Sequence, residues 1–429
     1  MDKLNTMKPT YLLVLITLLG VIILFSSCEK EDDPIAGKKY SFSSTATDAD
    51  VQTAMIQMKD GDTIYFEQGN YTFTTMLSID AKDHIVIMGD GRDKTILSFK
   101  NQTSGAQSIY GTNLTWALFR DFTVSEPIGD GIKVKDSDGI TFLRLGVVHL
   151  TSPESTNGGY GLYPVTCINV LVDDCYVYGT SDAGIYVGQS RQVIVRNSET
   201  EGNVAGIEIE NCISADVYNN NTHDNAAGIV ILDLPDLPAI KNGHTIRVFN
   251  NTIVSNDLVN FALPGNIVAG VPTGTGIMLM SSKNVEVFGN TITENNVMDI
   301  GVISYNTLVA LSGLILTDTV YVSYNKDINI HNNVITSSAT FTQELNPIAD
   351  LIVNVLFGGG DVPEILFDGF VHPDHAGELN KGICINNNGS AVFSNMDVPN
   401  SFAGLNFDVS GHVCSPASLP EVVVMGPMN

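Results

Sequence analysis

Positive charge is what this sequence has least of. Its 429 residues carry 21 lysines and arginines against 47 aspartates and glutamates, a formal net charge of −26 at pH 7. A nucleic acid needs a basic face to neutralise its phosphates, so that class of partner is excluded. The same deficit disfavours broad capture of a polyanion and leaves only a local basic pocket for one. Charge of either sign is sparse, at 16% of residues, while there are 39 glycines. That balance suits a β-rich solenoid better than a helical bundle. Cysteine is scarce as well: there are six, with no CxxC pair and no His/Cys spacing of the zinc or redox kind. One long apolar run exists, at residues 11–25, and it is short for a bilayer span.

That run belongs to a targeting segment rather than to the fold. Lys3 and Lys8 precede it, and Leu24-Phe25-Ser26-Ser27-Cys28 follows. The pentapeptide resembles a bacterial lipobox, with Phe25 where leucine is more usual. The resemblance implies a signal peptide over 1–27, lipidation of Cys28 and an outer-membrane lipoprotein facing the periplasm or the cell exterior. An uncleaved membrane anchor is the other reading. The acidic run Glu29-Lys30-Glu31-Asp32-Asp33 lies in a linker over 28–39. It reads either as a surface-sorting tag or as a solvated spacer. In an exported chain disulfides are allowed. With Cys28 reserved, five cysteines remain, so at least one stays unpaired. Cys384 with Cys414 is the candidate C-terminal bridge. Cys167, Cys175 and Cys212 read as small buried residues.

Internal repetition decides the fold. One stretch, apolar-x-apolar-x-[Asn/Asp]-[Asn/Ser/Cys]-x-[Val/Ile/Thr], recurs at 170–177, 193–200, 215–222, 246–253, 285–292 and 328–335, with a looser copy at 140–147. Its alternation is that of a strand with one buried face. A second stretch, Gly-Ile-x-apolar, begins at Gly131, Gly161, Gly184, Gly206, Gly228 and Gly276, with Ile300 as a copy lacking the glycine. The two lie 8 residues apart in five coils (Ile132 to Ile140, Leu162 to Val170, Ile185 to Val193, Ile207 to Ala215, Ile277 to Val285). Compact coils recur every 22 or 23 residues, as Leu162, Ile185, Ile207 and Ile229 show. That is a β-solenoid period. Asn220, Asn251, Asn290 and Asn333 fall at one repeated corner, where a stacked asparagine ladder satisfies turn amides. Ahead of the coils, residues 48–58 read as a helix that covers the open end, and Gly61-Asp62-Thr63-Ile64 with Gly69-Asn70-Tyr71 begins the strands.

On that helix, that entry and these coils the chain resembles the pectin-lyase-like superfamily. The resemblance covers about residues 40–335. It implies an all-β, right-handed parallel β-helix with an N-terminal capping helix. Residues 336–429, where the period fades, read as an irregular C-terminal cap. The superfamily holds lyases, hydrolases, epimerases, esterases and non-enzymes, so the fold alone names no reaction.

Departures from the period locate the working face. Ile229 to Ile246 takes 17 residues and Ile300 to Ile328 takes 28, where 8 is standard. Val147 to Leu162 takes 15 and Ile253 to Ile277 takes 24. All four insertions flank the Gly-Ile strand. Loops beside one sheet are expected to wall a groove, and the family resemblance implies a polysaccharide cleft on that strand's outer face. Period-two alternation puts Lys133, Lys135, Tyr163, Tyr186, Glu208, Glu210, Val230, Leu232, Met278 and Met280 outward.

Candidate catalytic residues are Glu208, Glu210 and Tyr186. Two carboxylates about 7 Å apart on one strand face suit an inverting glycosidase pair. They also suit a cation, or mutual pKa tuning. An ordinary solvated ladder held by Arg or Lys is the structural alternative. Tyr186 is a candidate acid or base for β-elimination. Lys133 and Lys135 are candidate holders of a uronate, Tyr163 a stacking platform, and Asp182 a substrate or Ca2+ ligand. His372-Pro373-Asp374-His375 resembles an alginate-epimerase motif in composition but not in order, and His223-Asp224 reads as a turn pair. The expected function is a surface polysaccharide-active protein of lyase, epimerase or hydrolase type. The alternative is a non-catalytic glycan-binding, adhesive or assembly-accessory β-helix.

Overall fold

The repeated corner shows why these residues make these turns. In the computed structural model, which describes residues 37–336 and 344–426, Asn219, Asn250, Gly289 and Asn332 all sit at positive φ, between 54° and 65°. Asparagine and glycine tolerate that left-handed conformation best. The next residue in each coil is the ladder asparagine. The Asn220 backbone N–H and its side-chain Nδ2 both donate to Asn251 Oδ1, each at 3.0 Å. Asn251 repeats this onto Asn290, Asn290 onto Asn333, and Asn333 onto Asn388. Each Nδ2 also donates to a carbonyl of the preceding coil, such as Asn251 to Val217 at 3.0 Å.

Between such corners the chain forms three parallel sheets. The first has 11 strands and holds the Gly-Ile stretches, the second has 12 and holds the apolar-x-apolar stretches, and the third has 10 short strands. Neighbouring strands pair one coil apart, for instance Ile185 with Ile207 and Ile207 with Ile229. Identical inward positions therefore stack. Ile132, Leu162, Ile185, Ile207, Ile229, Ile277 and Ile300 form a fully buried column inside the solenoid. Each large aliphatic residue removed from water contributes roughly 1.5–3 kcal/mol. Ile300 does occupy a Gly-Ile strand, Met298–Ile303.

The helix spans Asp48–Gln57 and is closed by a capping box between Thr47 and Asp50. Its Val51, Ala54 and Met55 continue the solenoid core. Gln52 bonds both backbone groups of Ser78 on the first sheet. At the other end the coils outlast the legible repeat. Ile365–Phe367 and Ile383–Asn386 extend the first and second sheets beyond Ile335. Cys384 and Cys414 are bonded, while Cys167, Cys175 and Cys212 are free and buried. The last described residues turn back over the second sheet, where Val422 and Val424 pack on Leu171 and Ile194.

The chain divides into two units, Met1–Gly37 and Lys38–Asn429. The signal segment, Cys28 and the acidic run at 29–33 lie outside the described residues. Among the described residues no helix is long and apolar enough to cross a membrane.

Candidate functional site

The outward columns of the first sheet are those read from the alternation. One runs Tyr110, Lys133, Tyr163 and, on the next coils, Tyr186, Glu208, Val230 and Met278. The other runs Thr112, Lys135, Val165, Gly188, Glu210, Leu232 and Met280. The environment, however, is not the expected open groove. The insertions do not merely wall the face. They fold down onto it. Val230, Leu232, Met278 and Met280 lie in a second apolar core with Val268 and Val271 from one insertion, Tyr305 and Tyr321 from another, and Ile352 and Val353 from beyond residue 335. Val230, Leu232, Met278 and Met280 would be poor in water, and an apolar face of this size is stable only when covered.

The face therefore has three zones. Toward the N-terminus it is half-exposed. There Lys133 lies 3.9 Å over the Tyr163 ring and 3.8 Å from Asp130. Burial holds the Lys133 ammonium below its usual pKa and the Asp130 carboxyl above its own. Lys135 pairs with Asp136 at 3.2 Å. Both lysines proposed to hold a uronate thus already have carboxylate neighbours within the chain.

The middle zone carries the acidic stack. Tyr160, Tyr163 and Tyr186 form a three-ring cluster with centroids 4.6–4.7 Å apart. Tyr186 donates its hydroxyl to Glu210 Oε1 at 2.7 Å. Gly188 makes that bond geometrically available, because a Cβ there would sit 2.2 Å from the Tyr186 oxygen. Burial holds the Tyr186 phenol well above its ordinary pKa, in keeping with its place as the donor to Glu210. Asp182 receives the Asn266 amide at 3.3 Å from the long insertion. Burial raises the Asp182 carboxyl to about 7, with Tyr160 and Asn266 offsetting part of the effect and Glu210 and Asp130 adding to it.

Glu208 differs from its neighbours. It is 4% exposed, and its Oε2 is buried without a hydrogen-bond partner. No lysine or arginine among the described residues faces it, so it is not the solvated, cation-held ladder considered from sequence. Burial first, then the charges of Asp182 and Glu210, push its pKa well up. Glu210 is raised by burial, with its Tyr186 bond opposing. An isolated ionised carboxylate in such a place is strongly unfavourable. Burial and the two neighbouring carboxyls thus favour the protonated form of Glu208 over the ionised one.

Sequence reasoning missed Tyr160, Asp130 and Asn266. Tyr160 and Asn266 sit inside insertions, where no period predicts direction, although both insertions were marked as departures. The apolar third zone encloses a cavity of about 50 Å³ lined by Met278, Met280, Met298 and Met396 among others. Among the described residues, the group of three whose ligand atoms lie within 4.8 Å of one another is Glu199, Glu201 and His223, on the third sheet. His223 also bonds Asp224 at 2.7 Å, as a turn pair would. His372 and Asp374 lie at a 3-10 turn, Pro373–His375, where Lys326 pairs with Asp374 at 2.6 Å.

A family model described as a right-handed β-helix region matches residues 107–267. The fold is a right-handed parallel β-helix. Solved structures similar to this β-helix include the A-module of a mannuronan C-5 epimerase from Azotobacter vinelandii. It is 16% identical, with 74% of this chain and 89% of that one covered and a TM-score of 0.47. An exopolygalacturonase from Thermotoga maritima is 11% identical over 66% and 76%, with a TM-score of 0.40. An alginate lyase from a Paenibacillus species is 12% identical over 70% and 95%, at 0.32. No curated protein matches the sequence.

Proposed function

We propose that the first sheet carries out general acid–base chemistry on a polysaccharide, with Glu208 as the acid. The observation that carries this reading is the Glu208 carboxyl, buried, unpartnered at Oε2 and flanked by Asp182 and Glu210. A fold that only needed stability would place an apolar side chain there. A protonated carboxyl delivers its proton to a leaving glycosidic oxygen, and Glu210 or Asp182 serves as the base. The half-exposed zone of Lys133, Lys135 and Tyr163 holds neighbouring units of the chain, and substrate reaches the carboxyls past Asn266 at the rim. Cys28 anchors the protein by lipid at the outer membrane, where such a polymer is met.

The test is turnover of a broad glycan panel, read as new reducing ends and as unsaturated uronates. Glu208→Gln should abolish product while substrate binding persists. Absence of both products with the wild-type chain would remove the reading in which Glu208 cleaves a glycosidic bond. A non-catalytic glycan-binding role is the second reading. It is favoured by the covering of the apolar zone, which shortens the accessible face. Binding without turnover by the wild-type chain would decide for it.

A further inference from the structure

The second sheet carries a separate chamber. Its outer column runs Leu171, Ile194, Asp216, Arg247, Glu286, Asn329 and Cys384. The C-terminal tail runs along this column from coil to coil. Leu419 N–H donates to Glu286 at 3.0 Å, Val422 N–H to Asp216 at 3.1 Å and Met425 N–H to Asn169 at 3.2 Å. From Leu419 to Met425 is six residues, about 20 Å when extended, and the four strand steps beneath them span about 19 Å. The tail is thus taut, and the Cys384–Cys414 bond fixes its near end.

Between that fixed end and Leu419 the tail arches over open space. A cavity of about 280 Å³ lies there, and a second of about 190 Å³ shares Glu286, Asn329 and Pro416 with it. The first is just below the usual range of small-molecule sites, about 300–1,000 Å³. Asn329 is 8% exposed, and its Oδ1 is buried with no hydrogen-bond partner. Asn329 lines both cavities, and an unmet acceptor in a polar lining calls for a donor. The three carboxylates of the lining are already engaged: Glu286 with His331 at 3.0 Å, and Glu378 and Asp327 with His375 at 2.8 Å and 3.0 Å. No lysine or arginine lines either cavity, which disfavours an anion. Asn329 Oδ1 is a neutral amide oxygen, so a hydroxyl satisfies it without adding charge; the other unbonded polar atom of the lining, His375 Nε2, lies 3.0 Å from Asp327.

We propose that this chamber binds one neutral, hydroxyl-rich unit of about the size of a single sugar ring, with the tail as its roof. The site is distinct from the acidic stack on the first sheet and does not depend on it. The test uses the full disulfide-bonded chain, titrated by calorimetry and ligand-observed NMR with D-glucose, D-galactose, D-mannose, N-acetyl-D-glucosamine and myo-inositol. At least one should bind in the millimolar range. Asn329→Leu should weaken it at least tenfold, and Glu208→Gln should leave it unchanged. Ala417→Trp fills the chamber from the roof, where Ala417 is exposed, and should abolish binding even if Asn329→Leu proves unstable. The proposal is overturned if none of the five binds, if Ala417→Trp binds as well as wild type, or if ethanolamine competes better than the sugars.

Discussion

Two buried polar stacks run along the same solenoid, and they are built to opposite rules. In the asparagine ladder each amide hands its hydrogen bonds to the next coil, and the corner carbonyls are met as well. In the carboxyl stack of the first sheet, Tyr186 and Glu210 satisfy each other, while Glu208 Oε2 has nothing. Both are buried. A polar group satisfied at every atom contributes to a unique fold, whereas an unsatisfied one costs about 1–3 kcal/mol, more if charged. The ladder is therefore architecture. The carboxyl stack is a cost the scaffold carries, as expected of a working site.

The widest gap between the two should appear in function. Glu208→Gln keeps shape and removes the proton donor, so turnover on a responsive glycan should fall about 10²- to 10⁴-fold, the usual contribution of a positioned acid. Urea unfolding of the same variant should show stability equal to or above wild type. A variant that loses stability instead would place Glu208 with the ladder. The converse is Asn251→Ala. It strips the acceptor from the Asn220 N–H and Nδ2 and the donor from the Val217 carbonyl. Unfolding free energy should drop by about 2–4 kcal/mol with turnover per folded molecule unchanged.

The ladder was legible and the stack only partly so, for a physical reason. Asn220, Asn251, Asn290 and Asn333 lie on the period, and anything on the period is fixed by its neighbours one coil away. A second ladder, Asn203, Asn225, Asn256 and Asn295, was equally available but went unread. Each of its members stands three residues after a buried third-sheet residue, Thr200, Thr222, Ile253 and Ile292, behind a left-handed Gly202, Asp224, Ser255 or Glu294. The outward direction of Tyr186, Glu208 and Glu210 was on the period too. Their burial was not, because it depends on insertions whose course no repeat dictates. Asn266 reaches Asp182 across 84 positions of sequence. The same holds for the late coil of Ile365–Phe367, which returns to the first sheet only after a long excursion.

Gly188 sharpens the contrast from inside the stack. A methyl group there would collide with the Tyr186 hydroxyl at 2.2 Å and break its bond to Glu210. Overpacking of this kind costs about 1–3 kcal/mol. With the bond lost, Glu210 loses the partner that opposes its raised pKa. Gly188→Ala should therefore shift the acid limb of any pH–rate profile upward as well as lower the melting temperature. A loss of stability with an unmoved profile would make the Tyr186–Glu210 pair structural.

The smallest effect, and the one that separates the stacks without a substrate, is the response to pH. Asp182 has its folded pKa raised to about 7 from 3.8. Over pH 4 to 7 the folded chain therefore holds a proton at Asp182 that the unfolded chain has released. Stability must then fall as pH rises through that window, by at most about 1.4 kcal/mol per pH unit for one proton. Below pH 4 both states are protonated and the contribution is constant. Asparagines do not titrate, so the ladder adds no slope. Asp182→Asn should flatten the dependence between pH 4 and 7 by up to one proton's worth, leaving the contributions of the other carboxyls that burial raises, among them Glu208, Glu210, Asp130 and Asp299. Urea midpoints at half-unit steps would measure this. An unchanged slope in the variant would mean that Asp182 is already ionised in the folded chain, with its charge met by Asn266 and Tyr160. The acid–base division of the stack would then fall on Glu208 and Glu210 alone.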